Sequence, residues 1–208
     1  MVRVSEIQPY RGSRVRIVLD DGTAWVVTKA ALRSRPLQVE DLVDPEEFSR
    51  WIVSLQYRPA LERAVSMLAA RSCSRGEIRQ KLVRSQYASP TVEKVMEKLE
   101  TNGLLDDQAF ADQWTRYRAS QRYGPRQIQW EMRRKGVSPE DQAAALESFS
   151  EEEQLAAAVS FVKKRLPGLK RASPELQQKQ RLIQALVRRG YDWDLARQAV
   201  ESVLQEDE

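Results

Sequence analysis

The sequence predicts a mainly α-helical protein, built from three tandem three-helix repeats in an elongated, curved array. A small N-terminal unit that contains a β-hairpin precedes the array. Three observations lead to this prediction: apolar residues alternate near the N terminus, they follow helical spacing afterwards, and one pattern of helix boundaries recurs. The predicted units are residues 1–57, 58–105, 106–149 and 150–208.

The N-terminal unit is predicted from a hairpin pattern. Val15, Ile17 and Leu19 alternate with other residues, Asp21-Gly22 is a strong turn signal, and residues 23–28 supply a β-branched and aromatic return strand. Residues 2–7 are a plausible third strand. A sheet of this size is marginal alone, so it must pack against another part of the chain.

Helices are predicted from residue 44 to the C terminus. Asp44 is a good N-cap for the first helix. This helix is expected to end at Arg58-Pro59, because a proline disfavours helical backbone geometry at the residue before it. Nine further helices follow. Their starts are expected near Leu61, Ser74, Ser89, Asp106, Gly124, Ser138, Ser150, Ser173 and Asp192.

The repeats are predicted from matching intervals. In the second and third copies, two core residues precede a helix N-cap by 10 and 6 residues. The first copy fits the same frame, from Leu82 to Ser89, with one extra residue. A repeat of this length cannot bury its apolar face alone, so its neighbours must stack on it. The alternative is an irregular bundle whose caps coincide. The matched pairs are Ile128 with Leu182, Met132 with Leu186, and Ser138 with Asp192.

Charge is unevenly distributed along the chain. The formal net charge is +4, but residues 58–135 carry +7, residues 136–162 carry −6, residues 163–190 carry +8 and residues 191–208 carry −5. Two basic blocks separated by an acidic one suggest a polyanionic or acidic partner.

Composition argues against an enzyme. The chain has no histidine and a single cysteine, which excludes a Ser-His-Asp triad, a disulfide within the chain and a zinc-finger cluster. Asp106-Asp107 and residues 151–153 are interpreted as helix caps rather than acid–base or metal sites. No phosphate-binding glycine loop, signal peptide or membrane-spanning segment is evident. We therefore expect a soluble cytoplasmic protein without a cofactor.

Binding to a partner or to DNA is better supported. Trp130 lies two residues from both Ile128 and Met132, so it projects away from their face, between arginines one turn away. It could anchor a partner or stack on bases, or instead pack against a neighbouring repeat. The basic cluster of the third copy suits a polyanion, although a solvated face is the alternative. The candidate residues are Arg116, Arg118, Arg122, Arg126, Trp130, Arg133, Arg134, Lys135, Lys163, Lys164, Arg165, Lys170, Arg171, Arg188 and Arg189.

Four motifs in this order resemble the bacterial RecX family. The resemblance covers about residues 58–206 and is most specific in the first two copies, with small departures at Cys73, Met132 and Val137. A looser match in the third copy lies at Arg188-Arg189-Gly190-Tyr191. The motifs are Ser74-Arg75-Gly76-Glu77-Ile78-Arg79-Gln80-Lys81-Leu82, Gly103-Leu104-Leu105-Asp106-Asp107-Gln108-Ala109-Phe110-Ala111, Tyr123-Gly124-Pro125-Arg126-Gln127-Ile128 and Glu131-Met132-Arg133-Arg134-Lys135-Gly136-Val137.

The resemblance implies a function as well as a fold. Members of the family are regulators of the RecA recombinase built from three-helix repeats. They bind RecA and lie in the groove of its DNA filament, where they suppress ATP hydrolysis and strand exchange. Several also bind single- or double-stranded DNA. The resemblance thus implies a non-enzymatic, monomeric regulator of recombination, DNA repair and the SOS response. A helical-repeat protein that binds nucleic acid without a recombinase remains the alternative.

Overall fold

A computed structural model of the chain describes residues 1–170 and 175–205. They form two compact units, divided between residues 105 and 106. The described residues form four strands and ten helices. The strands are β1 (Val2–Tyr10), β2 (Arg14–Leu19), β3 (Ala24–Thr28) and β4 (Leu42–Val43). The helices are α1 (Lys29–Ser34), α2 (Pro45–Ala70), α3 (Arg75–Arg84), α4 (Ser89–Thr101), α5 (Asp107–Ser120), α6 (Pro125–Arg134), α7 (Pro139–Glu147), α8 (Glu151–Lys170), α9 (Glu175–Arg188) and α10 (Trp193–Gln205).

The N-terminal sheet is antiparallel, with strand order β3-β2-β1-β4. The predicted hairpin is confirmed: Gly22 has φ 84°, and the backbone N–H of Thr23 donates to the Asp21 carboxylate at 2.8 Å. The inward face of β2 is buried as its alternation predicts. The sequence pattern did not predict the two-residue strand β4 or the short helix α1, which begins where the Thr28 hydroxyl accepts from the Ala31 N–H.

Helix α2 corrects one prediction. The expected end at Arg58-Pro59 is wrong, because α2 continues through Pro59 to Ala70. Proline removes one backbone hydrogen bond and costs a helix interior about 3 kcal/mol. Packing on both sides of Pro59 offsets that cost: Phe48 and Ile52 pack in the core of the sheet, while Ala60 and Ala64 pack in the core of the first repeat.

A buried glutamine joins the sheet to the first repeat. The Gln56 side-chain amide donates to the Val26 carbonyl of β3 at 2.8 Å. Its oxygen accepts from the Ala88 N–H at 2.7 Å and from the Thr91 hydroxyl at 3.1 Å, at the start of α4. The marginal sheet therefore packs on α2 and is tied to the first repeat through Gln56.

The same turn occurs once in each repeat, between its second and third helices. Its left-handed residue is Gln86, Gly136 or Gly190, with φ of 68°, 76° and 93°. In each turn, the N–H of the residue that follows donates a hydrogen bond to the carbonyl five residues earlier, with an N–O distance of 3.2 Å. This arrangement is known as a Schellman motif. Those acceptors are Leu82, Met132 and Leu186, the core positions matched in the sequence.

The turns also correct the predicted extra residue in the first copy. Ala88, and not Ser89, is the N-cap of α4, and it makes no side-chain capping bond. The interval from Leu82 to this N-cap is therefore six residues, the same as in the other copies. In every repeat, the third helix therefore begins at the same interval after this core residue.

Apart from Ser89, the predicted caps at Ser74, Asp106 and Ser150 are confirmed. Ser74 and Glu77 form a capping box, and Ser150 and Glu153 exchange bonds in the same way. The Asp106 carboxylate accepts from the Ala109 N–H at 2.8 Å, which is a capping role. The predicted helix start at Ser173 lies outside the described residues. Each repeat has its own core, and the largest fully buried side chain among the described residues is Tyr191, in the third repeat.

Candidate partner-binding surface

The second and third repeats meet at a joint made of backbone. The N–H groups of Gly124 and Arg126, at the start of α6, donate to the carbonyls of Arg189 and Gly190 at 2.9 and 3.1 Å. A Cβ on Gly124 would lie 2.5 Å from the Tyr191 nitrogen, and one on Gly190 would lie 2.3 Å from the Gln127 nitrogen. Two motifs of the sequence, far apart in the chain, thus form one close contact.

Arg189 holds the joint together. Its guanidinium donates to the carbonyls of Gln121 and Arg122 at 2.9 and 3.0 Å, where α5 ends. It also lies over the rings of Tyr123 and Phe161, at 4.3 and 4.7 Å from their centroids. A cation is favourable at a helix C terminus, so this predicted binding residue has a structural role.

Arg118 is also turned inward. Its side chain is 17% exposed and pairs with Glu131 at 2.5 Å, and its guanidinium lies 3.8 Å from the Tyr123 ring centroid. Partial burial lowers the pKa of Arg118, but its hydrogen bond and attraction to Glu131 outweigh this and raise the pKa above its usual value. Arg118 stabilises the second repeat rather than forming part of its outer surface.

Three more predicted residues have partners within the same unit. Arg126 forms an ion pair with Asp192 across the joint, although both side chains are exposed. The Arg122 side chain donates to the Ser160 hydroxyl at 3.0 Å. The Lys135 ammonium lies over the Trp114 ring, 4.1 Å from its centroid. Much of the positive charge of the second repeat is therefore used in internal contacts, which charge counting could not reveal.

The outward face of α6 keeps the rest of that charge. Trp130 is 48% exposed, and the Arg134 guanidinium lies 4.7 Å from its ring centroid. Arg133 is also exposed on α6, and Arg116 is exposed on α5. Of the two alternatives for Trp130, the structure favours the outward one.

The third repeat presents a second basic area. Lys163, Lys164 and Arg165 are exposed on α8, and Arg188 is exposed at the end of α9. Ser160, which Arg122 contacts, lies one turn before Lys164, so this area borders the joint. The side chain of Lys170 and the whole of Arg171 lie outside the described residues.

A second exposed tryptophan was not predicted from the sequence. Trp193 is 52% exposed and its ring lies under Arg197, 5.5 Å from the guanidinium carbon. It follows Asp192, the partner of Arg126, and Trp130 lies one turn beyond Arg126 on α6. The signal was present: Trp193 lies two residues from the core residue Leu195, just as Trp130 does from Ile128.

Within residues 1–170 and 175–205, no group of three acidic or cysteine side chains is arranged to hold a metal ion. In the same range no helix is both long and apolar enough to span a bilayer.

The matches to known protein families fall on the same three repeats. Models of the first, second and third three-helix domains of RecX match residues 60–99, 106–146 and 151–200. The regulatory protein RecX of Prosthecochloris aestuarii is 37% identical over 148 residues, which is 71% of this chain and 95% of that protein. The regulatory protein RecX of Bacillus subtilis is 28% identical and aligns with 94% of this chain and 74% of its own length.

Two solved structures have the same fold. A crystal structure of a regulatory protein RecX superposes with a TM-score of 0.65 at 25% identity and covers all of both chains. The structure of RecX from Lactobacillus salivarius gives a TM-score of 0.64 at 17% identity, over 74% of this chain and 97% of the other. With three domain models in order along more than half of its length, this chain belongs to the RecX family of regulatory proteins.

Proposed function

We propose that this protein is a non-enzymatic negative regulator of the RecA recombinase. It binds RecA and the RecA–DNA filament, lies in the filament groove, and suppresses ATP hydrolysis and strand exchange during recombination and DNA repair. It acts as a monomer in the cytoplasm and uses no cofactor. Membership of a family of regulatory proteins supports the regulatory part of this proposal.

One observation carries the binding part. The outward face of α6 presents a half-exposed tryptophan beside exposed arginines, while neighbouring cations are paired inside the unit. Tryptophan and arginine are among the residues enriched at the energetic centres of interfaces. A second tryptophan with an arginine over it, Trp193 with Arg197, adds to this surface.

Co-sedimentation with RecA filaments tests the proposal. We expect Trp130→Ala to weaken binding to filaments whose DNA is too fully covered to be contacted directly. Its thermal stability should be nearly unchanged, because half of the ring already faces solvent. Leu176→Ala is the matched control, since it removes an apolar side chain that is 71% exposed on α9. Equal binding by both variants would contradict the role of Trp130.

A second candidate function is nucleic-acid binding without a recombinase. The exposed cations Lys164 and Arg188 favour it, because no acidic partner is assigned to either of them in the described residues. This function predicts a DNA affinity that falls steeply with salt and no sedimentation with covered filaments. Co-sedimentation with covered filaments therefore separates the two functions, and a DNA titration over a range of salt tests the second one directly.

A further inference from the structure

A cleft opens between the N-terminal sheet and the first repeat, inside the unit of residues 1–105. Its volume is about 380 Å³, which falls within the range of small-ligand sites. The walls come from the β1–β2 turn, β3, α2 and the end of α3. The side chains that matter here are Tyr10, Arg11, Arg14, Arg63, Arg84 and Tyr87.

The four arginines of the cleft lack acidic partners. No aspartate or glutamate lines the cleft, and none of the ion pairs found among residues 1–170 and 175–205 includes these arginines. The bond made by Arg14 is to the Ser85 carbonyl, at 3.4 Å. By contrast, Arg71, Arg75 and Arg79 in the same repeat all pair with glutamates. Positive charge concentrated in a recess without counter-charge suits an anion.

The cleft is poorly suited to an added peptide strand. β3 is the outer strand of the sheet, and such an edge can pair with an extended peptide. Here the outward carbonyl of Val26 already accepts from Gln56 at 2.8 Å. The groups that remain open to a ligand are guanidinium donors and the two half-buried tyrosine rings, which together match phosphates and bases.

The turn of the first repeat differs from the others at this cleft. Gln86 lines the cleft with φ 68°, where the other two repeats have glycine. A side chain in the left-handed conformation costs about 1–2 kcal/mol. A polar amide is thus placed at the cleft despite an unfavourable backbone.

We propose that this cleft binds a segment of single-stranded nucleic acid, with the arginines on its phosphates and Tyr10 and Tyr87 beside its bases. A single strand can enter a recess between a sheet and a helix end, whereas a duplex presents only its outer surface. This gives residues 1–57 a role in ligand binding that does not depend on RecA. The site belongs to the unit of residues 1–105, whereas the α6 surface belongs to the unit of residues 106–208.

The test is anisotropy of a short labelled oligothymidylate with the full chain over a range of salt concentrations. Removing one arginine that binds a phosphate should reduce the slope of log affinity against log salt by about 0.7, so Arg63→Ala/Arg84→Ala should reduce it by about 1.4. Both side chains are exposed, so folding should be unaffected. Oligouridylate, titrated in parallel, tells whether RNA supplies the phosphates as well as DNA.

The matched control is Arg50→Ala/Lys98→Ala. It removes the same charge from the same unit at exposed positions that do not line the cleft. If both double variants lower the slope equally, the cleft has no special role and the proposal is overturned.

Amide shifts provide a second readout on the wild-type chain. We expect oligothymidylate to shift the signals of Gln86 and Tyr87. Tighter binding of a duplex, or the same shifts with a polyglutamate peptide, would overturn the assignment to single-stranded nucleic acid. The assays contain no recombinase, so their failure is distinct from failure of the proposed regulatory function.

Discussion

The turn of the first repeat and the turn of the third repeat have the same hydrogen bonds but different surroundings. Around Gln86 the turn borders an open cleft, and the sheet is tied beside it through the Gln56 side chain. Around Gly190 the backbone of α6 is in direct contact with the turn. The left-handed residue can be a glutamine in the first case and must be a glycine in the second. The fold needs the turn, but the neighbour decides the residue.

Replacing the two left-handed residues gives the largest expected effect. Gly190→Ala should destabilise the second unit by about 2–5 kcal/mol, because it adds a left-handed penalty to a clash with Gln127. Gln86→Gly should leave stability unchanged or raise it. Urea denaturation of the two variants measures the difference. Similar midpoints would show that the two turns are equally constrained.

Gln56→Leu tests the polar link of the first unit. It leaves the buried Val26 carbonyl and the partly buried Ala88 N–H without their partner, so we expect a loss of about 2–4 kcal/mol. The amides of β3 and the start of α4 should exchange faster with solvent, while those of the second unit stay protected. Unchanged exchange in β3 would mean that the sheet does not depend on this link.

Adjacent arginines at the joint should behave differently. Arg189→Glu loses hydrogen bonds to two carbonyls and two ring contacts, so the unit should lose about 1.5–3 kcal/mol. Arg188→Glu should leave the urea midpoint unchanged, because its side chain is exposed. Weaker filament or DNA binding by Arg188→Glu would then be a surface effect. If the urea midpoint of Arg188→Glu also falls, then Arg188 contributes to stability as well.

The smallest effect is expected at Tyr191, whose buried hydroxyl makes no hydrogen bond. Tyr191→Phe should therefore be neutral or slightly stabilising at pH 7.

Burial raises the pKa of Tyr191 to about 12 from 10.0, although Arg189 and Arg122 oppose the rise. Because the pKa is higher in the folded state than in the unfolded state, folding favours the protonated hydroxyl. The contribution of this group to the free energy of unfolding is therefore complete below pH 10 and is lost as pH rises toward 12. Chemical denaturation across that window should show a shallower fall for Tyr191→Phe. Identical slopes would contradict the raised pKa.

Local features could be predicted from the sequence, and features that depend on distant neighbours could not. The caps at Ser74, Asp106 and Ser150 involve residues within one turn, so their residue types are sufficient. The continuation of α2 through Pro59 depends on the cores on either side. The prediction that helix α2 ends at Pro59 failed for that reason.

The same distinction applies to the candidate surface. Spacing from the core placed Trp130 outward, because a helix fixes which residues share a face. It could not separate Arg118 and Arg189 from the exposed arginines, since their partners Glu131 and the carbonyls of α5 are set by packing. The same spacing rule, applied to α10, identifies Trp193 as well. The role of each basic residue in partner binding is still a prediction.

The single-stranded-DNA-dependent ATPase of the cognate RecA, titrated with this protein, tests the central claim most directly. A regulator that binds the filament predicts that ATP hydrolysis falls as the protein is added. The fall should be weaker with Trp130→Ala and unchanged with Leu176→Ala. An unchanged rate with a stoichiometric excess of the folded wild-type chain would contradict the proposed function.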